Sequence, residues 1–249
     1  MKALGIIGYH HTGKTTLAVA LIEALVQKGF RVSTIKDIHN EEYRADKEGS
    51  NTWKHALAGA KQVFAHGLKE SALILDHAPE LPEMLSLLSC DFLVIEGLKH
   101  AAVPKLLCAA TIDQADELID DTVFGLSGPL HVQYSNYKGL PVYDPHKDLP
   151  ELLEAVLRHS FEILPQSDPR CCSACGKSCH QLAGDIVQGR ARRSDCVQDG
   201  QNTVTLQVGG QPVSIVPFVQ NLLRDSVLAF VNNLKGINTA GDIRIDIKR

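Results

Sequence analysis

The sequence predicts an α/β fold, a mostly parallel sheet covered by helices on both faces, with a small C-terminal α+β module appended. Three observations carry this. Short apolar runs alternate with helical segments as far as residue 157. The stretch Leu164–Arg170, with two prolines among polar residues, interrupts the pattern. Beyond residue 204 the periodicity changes from helix-and-buried-strand to a hairpin, a helix and an alternating strand.

Taken in order, Ala3–Ile7 is a short apolar run of the kind that forms a buried strand, and Gly8–Gly13 follows as a loop. Lys14 to Lys28 reads as a helix, because Leu17, Leu21, Ala24 and Leu25 share one face and Gly29 is placed to end it. Arg31–Ile35 is a second strand, Lys36–Asn51 a polar loop, and Thr52–Ala60 an alanine-rich helix. Phe92–Ile95, Lys105–Ala109 and Val123–Leu126 are further strands, and Leu149–Leu157 is a closing amphipathic helix. In the C-terminal part, Val204, Leu206 and Val208 alternate, Gly209–Gly210 turns, and Val213 and Ile215 alternate back. Leu223, Val227, Phe230, Val231 and Leu234 keep helical spacing with Gly236 as a stop, and Ile243, Ile245 and Ile247 form a last alternating strand. The expected divisions are 1–165, a cysteine-rich segment 166–200, and a hairpin–helix–strand module 201–249.

Composition narrows the function classes. Of 249 residues, 44% are hydrophobic and 22% charged, an ordinary globular balance. No apolar stretch approaches the ~18–20 residues that span a bilayer, and the first residues lack a signal peptide's apolar core, so the expected location is the cytoplasm without membrane attachment. The net charge of −4 is uneven: residues 166–249 carry ten Lys/Arg against seven Asp/Glu. So small an excess reads as a solvated surface, and no nucleic-acid partner is expected.

Two motifs carry chemistry. Gly8-Tyr9-His10-His11-Thr12-Gly13-Lys14-Thr15, continuing to Thr16, fits G-x-x-x-x-G-K-[ST] at every fixed position and lies between a strand and a helix. The glycines let successive backbone N–H groups turn inward on phosphate oxygens, Lys14 brings a cation to the β/γ-phosphates, and the Thr15 hydroxyl suits magnesium. His10 and His11 are expected to contribute backbone N–H groups. The second motif is Asp91-Phe92-Leu93-Val94-Ile95-Glu96-Gly97, in which Glu96 follows four apolar residues and should emerge at the carboxyl edge of the sheet, near the metal. Asp91 would lie at the opposite edge and is given no chemistry. These features predict a P-loop NTPase domain with Lys14, Glu96 and the loop residue Asp46 as candidate catalytic groups.

Joined, these motifs resemble the MobB family, GTP-binding proteins of molybdopterin-guanine dinucleotide synthesis. The run TIKDIHNEEYRADKEGSNTWKHALAGA is similar to a family stretch in which Lys36, His39, Asp46, Gly49, His55 and Gly59 fall on family positions. DFLVIEGLKH adds Glu96, Gly97 and Lys99. Asp37 replaces the usual histidine, and Ser50-Asn51-Thr52 replaces Lys-Asp-Ser. The resemblance implies a homodimeric, slowly hydrolysing GTP-binding accessory protein, using GTP and Mg2+ and working with a molybdopterin guanylyltransferase or a molybdoenzyme apoprotein. The absence of an N-K-x-D motif leaves GTP resting on that resemblance. A nucleotide-gated metal-insertion chaperone and a small-molecule kinase are the alternatives.

Five of the seven cysteines fall between Cys171 and Cys196. In a cytosolic protein such clustering points to a metal, with Cys90 and Cys108 read as core residues. Cys172-x2-Cys175-x3-Cys179-x16-Cys196 provides four thiolates, with Cys171 able to replace Cys172. The pattern resembles a small 4Fe–4S domain, one residue short between its second and third cysteines; zinc is the alternative.

Overall fold

The computed structural model describes residues 1–167, 172, 175–197, 204, 206–209, 211–213, 217–234 and 243–245. The elements up to residue 159 are β1 (Lys2–Gly8), α1 (Lys14–Gln27), β2 (Val32–Lys36), α2 (Asn51–Leu57), β3 (Gln62–His66), β4 (Ser71–Leu75), α3 (Leu81–Ser86), β5 (Phe92–Glu96), β6 (Lys105–Cys108), α4 (Ile112–Leu118), β7 (Val123–Ser127), β8 (Asn136–Tyr137), β9 (Leu140–Pro141) and α5 (Leu149–His159). Further along come α6 (Cys179–Val187), β10 (Leu206–Val208), β11 (Gln211–Val213) and α7 (Pro217–Val231).

Strands β2-β5-β1-β6-β7 form one parallel sheet in that order. Parallel strands are buried on both faces, which is why β1 and β5 read as unbroken apolar runs. The register sets Ile6, Glu96 and Lys36 side by side at the carboxyl edge. Helix α1 buries Leu17, Ala18, Leu21, Ala24 and Leu25, each leucine contributing about 1.5–3 kcal/mol by leaving water. It ends at Gly29, whose φ of 89° is the left-handed value that favours glycine. One apolar cluster joins Ile7, Leu107, Ala115 and Leu126. Another joins Ile35, Leu93, Ile95 and Val103 to Leu81, Met84 and Leu85 of α3.

Residues 61–90, left without an element by the sequence pattern, contain the antiparallel hairpin β3–β4 and helix α3. Helix α2 begins one residue earlier than expected, because the Ser50 hydroxyl accepts the Trp53 N–H at 3.0 Å and caps it. At the amino edge of the sheet Asp91 accepts from Nε and Nη2 of Arg31. That pairing holds its carboxyl down at about 2. Lys105 is fully buried at the start of β6. Its ammonium donates to the Lys99 carbonyl at 2.6 Å and lies 3.9 Å from Asp120, and burial pushes its pKa down to about 8.

The chain divides into two units, residues 1–166 with 179–193, and residues 167–178 with 194–249. The segment 166–200, read from sequence as one piece, is thus shared between them. Helix α6 belongs to the first unit: His180 Nε2 lies 3.0 Å from Asp120 Oδ2, and Gln188 donates to the Asp121 carbonyl at 3.0 Å. A Cβ on Gly184 would fall 2.7 Å from that of Asp121, so glycine allows the helix to approach. In the second unit β10 and β11 form the expected hairpin, Leu206 opposite Val213, and α7 starts earlier than its spacing suggested. Residues 243–245 carry no strand, and Ile247 lies outside the described residues, as does Ile215. An alternating segment becomes a strand only on a pairing edge, and among the described residues no strand pairs with it.

Candidate functional site

The loop between β1 and α1 owes its shape to its glycines. Gly8 (φ 147°) and Gly13 (φ 87°) hold conformations that side chains resist. The buried Thr12 hydroxyl donates to the Tyr9 carbonyl at 2.9 Å, and so does the Lys14 ammonium, which folds back over the loop. The first intrahelical bond runs from Leu17 N–H to the Gly13 carbonyl at 3.0 Å. The N–H groups of Lys14, Thr15 and Thr16 therefore have no partner within the helix and form a donor set for an anion. Burial pushes Lys14 below the usual lysine range, with Cys108 and Glu96 acting in the opposite sense.

Facing the loop, Glu96 ends β5. Thr15 Oγ1 donates to Glu96 Oε1 at 2.8 Å, and Lys36 places its ammonium 2.5 Å from the same oxygen and 3.4 Å from the hydroxyl. An ammonium held against this oxygen pair shows that the spot favours a cation. Its hard oxygen donors fit magnesium, which Thr15 and Glu96 would hold. Gly97 follows with φ 100°, because a Cβ there would meet the Cβ of Asp37 at 2.5 Å. Asp37 accepts the Leu98 N–H at 3.2 Å and pairs with His39 at 2.9 Å. Lys99 returns over the Tyr9 ring, 5.1 Å from its centroid, tying the two loops together.

These residues line a cavity of about 660 Å3 that includes Gly8, Tyr9, His10, His11, Gly13, Lys14, Thr15, Thr16, Lys36, Asp37, His39, Glu96, Gly97 and Lys99. The two motifs, 80 residues apart, thus meet as their sequence placement suggested. Asp46 stands elsewhere. It does not line the cavity, and its Oδ1 accepts the Lys47 N–H at 2.8 Å and the Ser50 hydroxyl at 3.0 Å in the turn that enters α2. The pairing of Lys36 with Glu96 was missed, although both end apolar strands, because strand order does not follow from one sequence. Cys108, behind the loop, is an inert thiol that burial pushes up to about 12.

The four spaced cysteines are divided between the two units. Cys179 opens α6 in the first unit, whereas Cys172, Cys175 and Cys196 belong to the second. Among the described residues no group of three or more His, Cys, Asp or Glu side chains is disposed to hold a metal ion. Cys171 lies outside the described residues.

Fold and site define an α/β protein of the P-loop type. Residues 3–123 match the family model MobB, "Molybdopterin guanine dinucleotide synthesis protein B". From end to end the chain is similar to a protein of Methanocaldococcus jannaschii, provisionally named a molybdopterin-guanine dinucleotide biosynthesis adapter protein. The two are 28% identical over 254 residues, covering 99% of this chain and 97% of the relative. The adapter of that name from Haemophilus influenzae is 36% identical over 110 residues, 42% of this chain and 61% of the relative. The crystal structure of Bacillus subtilis MobB aligns with a TM-score of 0.54 at 23% identity, over 64% of this chain and 97% of that one, and shows the shared fold. Residues 3–123 are thus similar to MobB in sequence and in fold.

Proposed function

We propose that this protein is an adapter in molybdopterin-guanine dinucleotide biosynthesis that binds GTP with magnesium and hydrolyses it slowly. One observation carries the reading: Lys14, Thr15 and Glu96 converge on one cavity in a chain that resembles the provisionally named adapter of Methanocaldococcus jannaschii along its whole length. Backbone N–H groups of residues 13–16 bind and orient the phosphates, and Lys14 leaves the Tyr9 carbonyl to pair with the terminal ones. Bound magnesium would neutralise charge on the phosphates and on the leaving oxygen. Glu96, once Lys36 withdraws, would hold that cation together with Thr15. Asp46 is assigned to the geometry of the loop into α2.

The choice of GTP, and of a molybdopterin guanylyltransferase or a molybdoenzyme apoprotein as partner, is supported by the resemblance to proteins named as molybdopterin-guanine dinucleotide biosynthesis adapters. The expected setting is the cytoplasm; among the described residues no helix is long and apolar enough to cross a membrane. A homodimer is supported by the apolar residues that β3 and β4 leave in water, with Phe64 67% exposed. The test is a reconstituted synthesis of molybdopterin-guanine dinucleotide from molybdopterin, GTP and a guanylyltransferase. Added wild-type chain is expected to raise the yield. Glu96→Gln is expected to bind GTP but hydrolyse it at least ~10-fold more slowly, since a neutral amide holds the cation poorly. No effect of the wild-type chain on yield, and unchanged hydrolysis in the variant, would contradict the assignment.

Metal binding by Cys172, Cys175, Cys179 and Cys196, as 4Fe–4S or zinc, rests on their spacing alone. Anaerobically purified protein is expected to carry about four iron atoms and matching sulfide per chain, lost in Cys175→Ser. About one zinc per chain would replace the cluster with a structural knuckle. Protein with neither metal and with readily alkylated cysteines would remove the site.

A further inference from the structure

A second cavity lies beside the first, with two lining residues in common. It has a volume of about 490 Å3 and is lined by Thr15, Thr16, Val19, Ala20, Glu23, Pro145, His146 and Leu149. It shares Thr15 and Thr16 with the phosphate cavity, but neither Glu96 nor Asp37. The terminal phosphate belongs beside Lys14 and Glu96, so a groove leaving by Thr16 runs toward the other end of a bound nucleotide.

Val19, Ala20 and Glu23 lie three, four and seven residues beyond Thr16 and share one face of α1 with it. From Thr16 to Glu23 the helix rises roughly 10 Å, about the span from an α-phosphate across a ribose to the far edge of a purine. Leu149 stands at the start of α5, and Pro145 and His146 belong to the loop that precedes it. That loop is pinned from within: Asp144 accepts the His146 N–H at 2.9 Å, and Asp148 accepts the Asp144 N–H at 2.8 Å. Val19, Ala20, Pro145 and Leu149 give the groove apolar walls on which a flat ring can rest. Among the described residues neither the Glu23 carboxylate nor the His146 ring makes a hydrogen bond or ion pair.

We infer that this groove holds the nucleoside of the bound triphosphate and that Glu23 reads guanine. The inference rests on the main cavity being a nucleoside-triphosphate site and extends it to the base. Guanine presents two adjacent donors, N1–H and the 2-amino group, which one carboxylate accepts together; adenine has an unprotonated N1 and nothing at position 2. A carboxylate at the end of this groove therefore favours guanine, hypoxanthine less, and adenine least. It supplies the discrimination that an N-K-x-D motif would otherwise provide. His146 lies where its ring can cover the base.

The experiment measures calorimetric affinities of the full chain, with magnesium, for GTP, ITP, ATP and inorganic tripolyphosphate. Wild-type protein is expected to prefer GTP to ATP by about tenfold or more, with ITP between. Glu23→Gln is expected to reduce that preference at least several-fold while leaving tripolyphosphate affinity unchanged. His146→Ala is expected to weaken all three nucleotides but not tripolyphosphate. If wild type binds GTP and Glu23→Gln keeps the full preference, the groove assignment is overturned and the phosphate site stands. If wild type binds tripolyphosphate but no nucleotide more tightly, the groove does not receive the nucleoside. If no triphosphate binds at all, the parent reading falls and takes this one with it.

Discussion

Lys14→Ala is expected to lower affinity for magnesium-bound GTP by about 100-fold or more while leaving the fold in place. In the proposed reading the ammonium pairs with the terminal phosphates, and removing a charge-assisted contact in a partly desolvated cleft accounts for a loss of about 2–3 kcal/mol or more. On the folded side, Lys14 gives up one bond to the Tyr9 carbonyl. A single hydrogen bond contributes about 1 kcal/mol net. Calorimetry paired with a denaturation midpoint separates the two effects. Equal affinity in variant and wild type would remove the phosphate from this loop.

Gly8→Ala is expected to have the opposite profile, with the damage falling on stability. A Cβ at Gly8 would lie 2.2 Å from the Cys108 carbonyl oxygen and 2.9 Å from the Thr12 hydroxyl, in a backbone with φ 147°. The carbonyl belongs to β6, hydrogen-bonded to β1 in the middle of the sheet, so neither partner can yield cheaply. The cost is expected to be about 3 kcal/mol or more. Gly29→Ala is the matched control. Its φ of 89° is also unfavourable, but nothing lies within 4 Å of the added methyl, and about 1–2 kcal/mol is expected. Similar unfolding midpoints for the two variants would mean that the close approach of β1 to β6 is not what demands glycine.

The parts of the fold legible in the sequence are those whose physics is local. The runs Ala3–Ile7 and Phe92–Ile95 announce buried strands because parallel strands are apolar on both faces. The loop from Gly8 to Thr16 is legible because glycine and lysine at fixed spacing have few other uses. What escaped was short or cooperative. Helices α3 and α4 have six and seven residues, under two turns, too few for a 3.6-residue period to show. Strands β3 and β4 leave Phe64 and Leu73 in water, so their apolar residues do not alternate toward a core. The meeting of Lys36 with Glu96 depends on β2 lying beside β5, a fact of topology. Asp46 was drawn toward the site by its motif, yet its carboxylate is engaged by Lys47 and Ser50 at the start of α2. The groove under Glu23 was invisible for the same reason as the Lys36 pairing: Pro145 and His146 reach it from 120 residues away.

The most direct test of the central claim is amide hydrogen exchange of the intact protein with and without magnesium and GTP. Slowed exchange is expected at residues 8–16, 36–40 and 96–99, where the phosphate cavity is built, and at 145–149 along the groove. The amides of Lys14, Thr15 and Thr16, which have no intrahelical acceptor, should change most. Exchange unaltered by GTP in residues 8–16, or protection confined to other parts of the chain, would contradict the account.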